Sequence, residues 1–141
     1  MKILVCSRHR VAEGKNVEQV GFEVLLDGSD VISLHVPLNE ETRHLITRDE
    51  MHRINRNALL VNTSRGGVID EMALIEALTH GKIAGAALDV FKHASLPVDS
   101  PLRDLGNVIL TPHTAGMPEG PHLHRKRYKY FVENIRRIED G

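Results

Sequence analysis

Apolar residues in this chain fall into short clumps separated by polar, glycine-bearing or proline-bearing breaks, and the longest ordered pattern runs from Ala58 to Val90. Ala58–Val61 is too short a run for a helix, and Asn62-Thr63-Ser64-Arg65 with Gly66-Gly67 stops it. Asp70 then offers a side-chain oxygen to the free amides of a helix start, with Glu71 in the first turn. Met72, Leu74, Ile75, Ala77 and Leu78 are expected to line one apolar side of that helix. Gly81 sits just past its end, where glycine takes a left-handed conformation without strain. Ile83–Leu88 resumes as a strand of small and aliphatic residues suited to burial on both faces. The pattern predicts two parallel strands joined by a helical crossover.

The same alternation holds on either side. Lys2–Cys6 reads as a buried strand ending in Ser7-Arg8-His9-Arg10, and Val31–Val36 as one stopped by Pro37. Phe22, Leu25 and Leu26 fit a helical turn packed on the sheet and ended by Asp27-Gly28. Thr47-Arg48-Asp49-Glu50 matches a capping box, with Met51 and Ile54 facing the core and His52, Arg53 and Arg56 on a solvated face. Lys92–Pro101 reads as a loop and Asn107–Leu110 as the last strand. From about Pro121 a long C-terminal helix is expected to Ile138, with Tyr128, Phe131, Val132, Ile135 and Ile138 at helical spacing. Strands alternating with helices predict an α/β fold with a doubly wound parallel sheet. The polar groups after its strands then share one edge, where ligands gather in such sheets.

Composition narrows the function classes. At 141 residues the chain is one domain, and a net charge of −1 argues against a general nucleic-acid partner. The single Cys6 excludes an internal disulfide and suits a reducing compartment. No apolar run approaches the roughly 20 residues that span a bilayer, so no membrane partner is expected. Met1-Lys2 leads directly into Ile3-Leu4-Val5, too short a run for a secretory signal, and a cytoplasmic location is the default. His122 and His124 stand two apart and diverge on a helix, so no metal site is expected. Arg125, Lys126, Arg127 and Lys129 read as a solvated face.

The wording NTSRGGVIDEMALIEALTHGKIAGAALDVF, followed by VILTPHTAG, closely resembles the cofactor domain of the D-isomer-specific 2-hydroxyacid dehydrogenases. The segments SDVISLHVP and NEETRHLI resemble the same family. The resemblance covers Met1 to the C-terminus but starts in the middle of the family's domain, so it implies a partial NAD(P)-binding domain over residues 1–141 with an incomplete Rossmann-like sheet. It implies a dinucleotide cofactor and a small 2-keto or 2-hydroxy acid substrate. Reducing such an acid needs a cation for its carboxylate and a proton donor for its carbonyl oxygen. Arg65 supplies a forked donor and His113 an imidazole that titrates near working pH, and both match the family's catalytic positions. The cofactor positions implied are Ser7, Arg8, His35, Val36, Pro37, Thr42, Thr63, Ser64, Arg65, Asp89, His113, Ala115 and Gly116. His35 reads as a loop-edge structural residue rather than a catalyst. Ser7 and Arg8 stand where the family usually has an acid that holds the adenosine ribose. A guanidinium without that carboxylate implies NADP over NAD, if a nucleotide binds; the other reading is a basic loop after a strand.

Three departures stand against an intact enzyme. Ala94 occupies the place of a family glutamate that orients the catalytic histidine, with Asp99 or Asp104 as the available substitutes. No GxGxxG loop is present. The family's substrate domain and dimer-forming arm lie upstream of the matched region. The strand that precedes the glycine loop is expected between the Ile3–Cys6 and Ala58–Val61 strands, and its loss would leave two open edges. Those edges imply either closure of the flanking strands, a homo-oligomer or a complementing chain. Three readings remain: an NADP-preferring oxidoreductase, a non-catalytic binding or assembly fragment, and a structural partner that completes another polypeptide.

Overall fold

The computed structural model describes residues 1–11, 14–93 and 96–115, and within them the apolar runs read as strands become strands of three or four residues. The elements are β1 (Ile3–Val5), β2 (Val17–Gln19), α1 (Phe22–Gly28), β3 (Val31–Leu34), α2 (Arg48–Arg53), β4 (Leu59–Asn62), α3 (Glu71–Thr79), β5 (Gly85–Leu88) and β6 (Val108–Leu110). Short 3-10 turns at Gly66–Val68 and Pro101–Arg103 punctuate the loops after β4 and before β6. Strands β3-β4-β5-β6 form a four-stranded parallel sheet, in registers such as Val31↔Leu59, Leu59↔Gly85 and Ala86↔Val108. Strands β1 and β2 form a separate parallel pair, Ile3↔Val17. The architecture is α/β, as the alternation of strands and helices predicts, and Rossmann-like, as the family resemblance implies.

The position expected for the open edge needs correction. β4 is paired on both sides, by β3 and β5, so the Ala58–Val61 strand is interior. Among the described residues, the strands with an unpaired edge are β1 and β2 in the pair and β3 and β6 in the four-stranded sheet, and β1 and β3 do not pair with each other. The strand β2 is a further difference: Val17-Glu18-Gln19 carries one half-buried apolar residue and no clump. Its pairing with β1, rather than its own pattern, makes it a strand. The expected long helix, Ala94 and Gly116 lie outside the described residues.

One face of the four-stranded sheet is the core face. Ile32 and Leu34, Leu60, and Ala86 and Leu88 alternate inward to meet Met51 of α2 and Leu74, Ala77 and Leu78 of α3. The other face is open: Val31 is 58%, Leu59 46% and Ile109 68% exposed. α2 begins with the capping box, Thr47 accepting from the Asp49 amide and the Glu50 carboxylate accepting from the Thr47 amide at 2.9 Å. At the head of α3 the Asp70 carboxylate accepts from the Met72 amide (3.0 Å) and the Ala73 amide (3.3 Å), and Gly81 takes φ +61 past its end. Met72 was expected on the apolar side but is 71% exposed. The buried pairs Ala73-Leu74 and Ala77-Leu78 fix the inner side, and Met72, about 200° around the axis from Leu74, must then face water. No helix among the described residues is long and apolar enough to cross a membrane.

Candidate functional site

Parallel strands bring their carboxyl ends to one rim, and here the rim is tied together through Asp89. This aspartate follows β5 and is 3% exposed. Its Oδ1 accepts from the Thr111 hydroxyl, the Thr114 amide (2.8 Å) and the Thr114 hydroxyl (3.3 Å), and its Oδ2 from the Ala115 amide (2.9 Å). Burial pushes the Asp89 carboxyl up, but these bonds from Thr111, Ala115 and Thr114 outweigh it and hold it below the ordinary value. Backbone bonds complete the tie: Asp89 N–H donates to Asn62 O, and His113 N–H is shared between Asp89 O and Thr111 O, each at 3.0 Å. The loop after β6 is thus wrapped onto the end of β5. His113 is held in it with φ 54, a left-handed backbone that few residues besides glycine adopt.

The loop after β4 is built from its own strand. Asn62 has the inward parity of Leu60 and is 1% exposed. It satisfies its amide by accepting from the Ser64 amide (3.0 Å) and hydroxyl (2.8 Å) and donating to Arg65 O (3.1 Å). Arg65 projects to solvent, with Nη1 donating to Ser64 O at 2.7 Å. Gly66 lies so close to the loop after β5 that a Cβ would come within 2.0 Å of Phe91 C and O. Only glycine fits there, and the two loops are locked together. The rim of the four-stranded sheet therefore gathers Thr63, Ser64, Arg65, Asp89, His113 and Ala115. Sequence reasoning missed Asn62, Gly66 and Thr111 as its framework. The signal was a polar residue at an inward strand position, which must find partners within the loop.

The remaining candidates are placed differently. His35, exposed after β3, shares a 2.8 Å hydrogen bond between Nε2 and the Ser33 hydroxyl, in keeping with a structural role. Val36 is half-buried against the core. The Thr42 hydroxyl is committed to its own turn: it donates to Pro37 O and accepts from the Asn39 amide at 2.9 Å. Ser7 and Arg8 lie in the loop after β1, beyond the end of the other sheet; the Ser7 hydroxyl accepts from the His9 amide (3.3 Å). The Arg8 guanidinium pairs across the gap with Glu41 at 2.8 Å, both largely exposed. No hydrogen bond or ion pair joins Asp99 or Asp104 to His113 among the described residues. Nor do the described residues gather three metal-ligating side chains.

The arrangement fits a nicotinamide dinucleotide in part. Arg65, Asp89 and His113 share a rim with a buried anion, a cation and an imidazole, and Ser7 with Arg8 offers a hydroxyl and a guanidinium for an anionic group at the end of β1. The sequence holds no glycine-rich loop for a pyrophosphate, and Gly66 is spent on the contact with Phe91.

Residues 1–115 match the model of the family described as D-isomer specific 2-hydroxyacid dehydrogenase, NAD binding domain. The chain is 56% identical over 126 residues to a glyoxylate reductase of Korarchaeum cryptofilum, covering 89% of this chain and 37% of that protein. A D-isomer specific 2-hydroxyacid dehydrogenase from Xanthobacter autotrophicus Py2, solved in complex with NADPH and MES, is similar in structure. It has a TM-score of 0.77 and 42% identity over 99% of this chain and 57% of that one. A D-lactate dehydrogenase with NAD+ from Lactobacillus jensenii gives a TM-score of 0.77 and 33% identity, over 82% of this chain and 39% of that one. The chain spans between 30% and 39% of the length of the first three curated relatives it matches.

Proposed function

The chain belongs to the D-isomer specific 2-hydroxyacid dehydrogenases, as part of their NAD-binding domain, and from that premise we propose that its rim serves NAD(P)-dependent hydride transfer between 2-keto and 2-hydroxy acids. The observation that carries this reading is the Asp89 tie, which fixes the His113 loop onto the strand beside the one that leads to Arg65. In this reading Arg65 grips the substrate carboxylate with its fork, and His113 gives a proton to the carbonyl oxygen. NAD(P)H, when bound, would supply the hydride for the keto carbon, so that with the proton from His113 the keto acid would become the hydroxy acid. Asp89 acts by position, holding the loop that carries His113. Glyoxylate, named for a relative, is the first substrate to test. Ser7 and Arg8 support NADP over NAD, with Glu41 as the competitor for the guanidinium. A cytoplasmic location is part of this reading, supported by the lone Cys6.

Titration with NADPH, NADH and no nucleotide, followed by turnover of glyoxylate and hydroxypyruvate, tests the proposal. Binding of NADPH ahead of NADH is expected. His113→Asn is expected to lower kcat by about 10²–10⁴ with nucleotide binding retained. An active His113→Asn variant removes the proposed proton donor, and failure of either nucleotide to bind sinks the oxidoreductase reading. A second reading, an assembly module that completes another chain or copy, is favoured by the open edges of β1 and β3. It predicts oligomers or a captured partner in light scattering; a compact monomer that binds NADPH opposes it.

A further inference from the structure

We propose that Arg103 is an anion-binding residue of the cleft beside His113, where it takes a carboxylate or phosphate of a small acid. The cleft encloses about 280 Å³ and is walled by Phe91, Leu96 and Leu110, with Arg103 and His113 as its ionisable lining. That volume is at the small end for ligand pockets, which suits a compact acid rather than a large ligand.

The guanidinium is already in place. Arg103 Nε donates to Pro97 O and Nη2 to Leu96 O, both at 2.8 Å, so one edge of the planar group is spent on the loop. The opposite edge, Nη1 and the second Nη2 hydrogen, makes no hydrogen bond among the described residues. Arg8, Arg48 and Arg53 instead pair with Glu41, with Glu76, and with Glu23 and Asp27. A fixed fork with a vacant edge matches a carboxylate or a phosphate through two parallel bonds. Because its loop contacts already restrict the side chain, binding costs little rotamer entropy. The apolar walls strengthen the attraction by lowering the local dielectric. The ligand class is a small acid with a carboxylate or phosphate on Arg103. That the acid is also the 2-keto substrate rests on the oxidoreductase reading above; the anion site itself does not.

The test therefore leaves out nucleotide and turnover. The full 141-residue chain is titrated with malonate, acetate and inorganic phosphate, following the Arg103 Nε–H and His113 ring signals by NMR. Saturable shifts of both signals are expected, with malonate and phosphate separating the carboxylate and phosphate classes. Arg103→Met, which keeps the stem and removes the fork, is expected to weaken binding at least tenfold. Arg103→Lys should fall between wild type and Arg103→Met, and Arg48→Met should bind as wild type. Loss of the Leu96 and Pro97 anchors makes a fold check on Arg103→Met necessary; should it fail, wild-type affinity in Arg103→Lys overturns the fork. Absence of saturable binding, unaltered affinity in Arg103→Met, or equal weakening in Arg48→Met overturns the proposal. None of these results bears on whether NADPH binds, so the two readings fail separately.

Discussion

Gly66 shows how one hydrogen atom in place of a methyl group sets the geometry of the rim. A Cβ there would lie 2.0 Å from the Phe91 carbonyl, and backbone cannot yield as a flexible side chain can. Gly66→Ala is expected to cost about 1–3 kcal/mol by overpacking and to part the loops after β4 and β5, measured by denaturant unfolding. Asp89 gives the electrostatic counterpart. Its carboxyl is held below the ordinary value, so its bonds stabilise the fold fully above the ordinary carboxylate range. That contribution is lost as pH falls through the lowered folded value. Acidification below about pH 4 should therefore release it in the wild type. Asp89→Asn sets an NH2 or a weaker acceptor against the Thr114 and Ala115 amides. It should be less stable at pH 7 by about 1–3 kcal/mol and show a flatter acid limb in thermal melts taken across pH. At this scale Arg65, Asp89 and His113 were legible as candidates, because their motifs are specific. Asn62 was not, since a single asparagine after an apolar run reads equally as a turn.

The helices obey local signals closely. The Thr47 box opens α2, the Asp70 carboxylate opens α3, and Gly81 follows α3 with the positive φ its place demands. Thr47→Ala removes a hydroxyl that accepts from the Asp49 amide and donates to Glu50. A loss of about 1 kcal/mol is expected in chemical denaturation, with α2 fraying first. Thr47→Ser should recover most of it. Arg53 was expected on a solvated face, and it is exposed, yet it joins α2 to α1 through Glu23 and Asp27. Such partnerships depend on how helices are placed and have no sequence spacing. Met72 is the instructive miss: apolar identity pointed inward, whereas the phase of Ala73, Leu74, Ala77 and Leu78 points it outward. β2 escaped notice for the converse reason, as its pairing comes from β1 and not from a pattern of its own.

Across the whole molecule the two sheets differ in what supports them. The four-stranded sheet presses one face on a continuous core, while β1 and β2 form a two-stranded pair with Ile3 exposed. A pair of short strands is marginal alone. The Arg8–Glu41 bridge across to the loop after β3 is solvent-exposed and adds little. Native-state hydrogen exchange should therefore show the amides of Ile3–Val5 and Val17–Gln19 opening well before those of Leu60 and Ala86. Equal protection in both sheets would mean that they unfold as one body. Parallel α/β architecture was legible from the succession of strands and helices. The location of the open edge was not, because strand order depends on tertiary pairing that no local pattern records.

His113 carries a consequence for any change made to the rim. Its main chain is pinned in a shape that glycine or asparagine would take more cheaply, by two carbonyls that share one N–H. A search for hardier variants would drift toward those residues, and in doing so would strip out the imidazole. With His113 in its proposed role as proton donor, robustness and reactivity would pull in opposite directions at this one residue, and a gain in melting temperature there would be a warning and not a success.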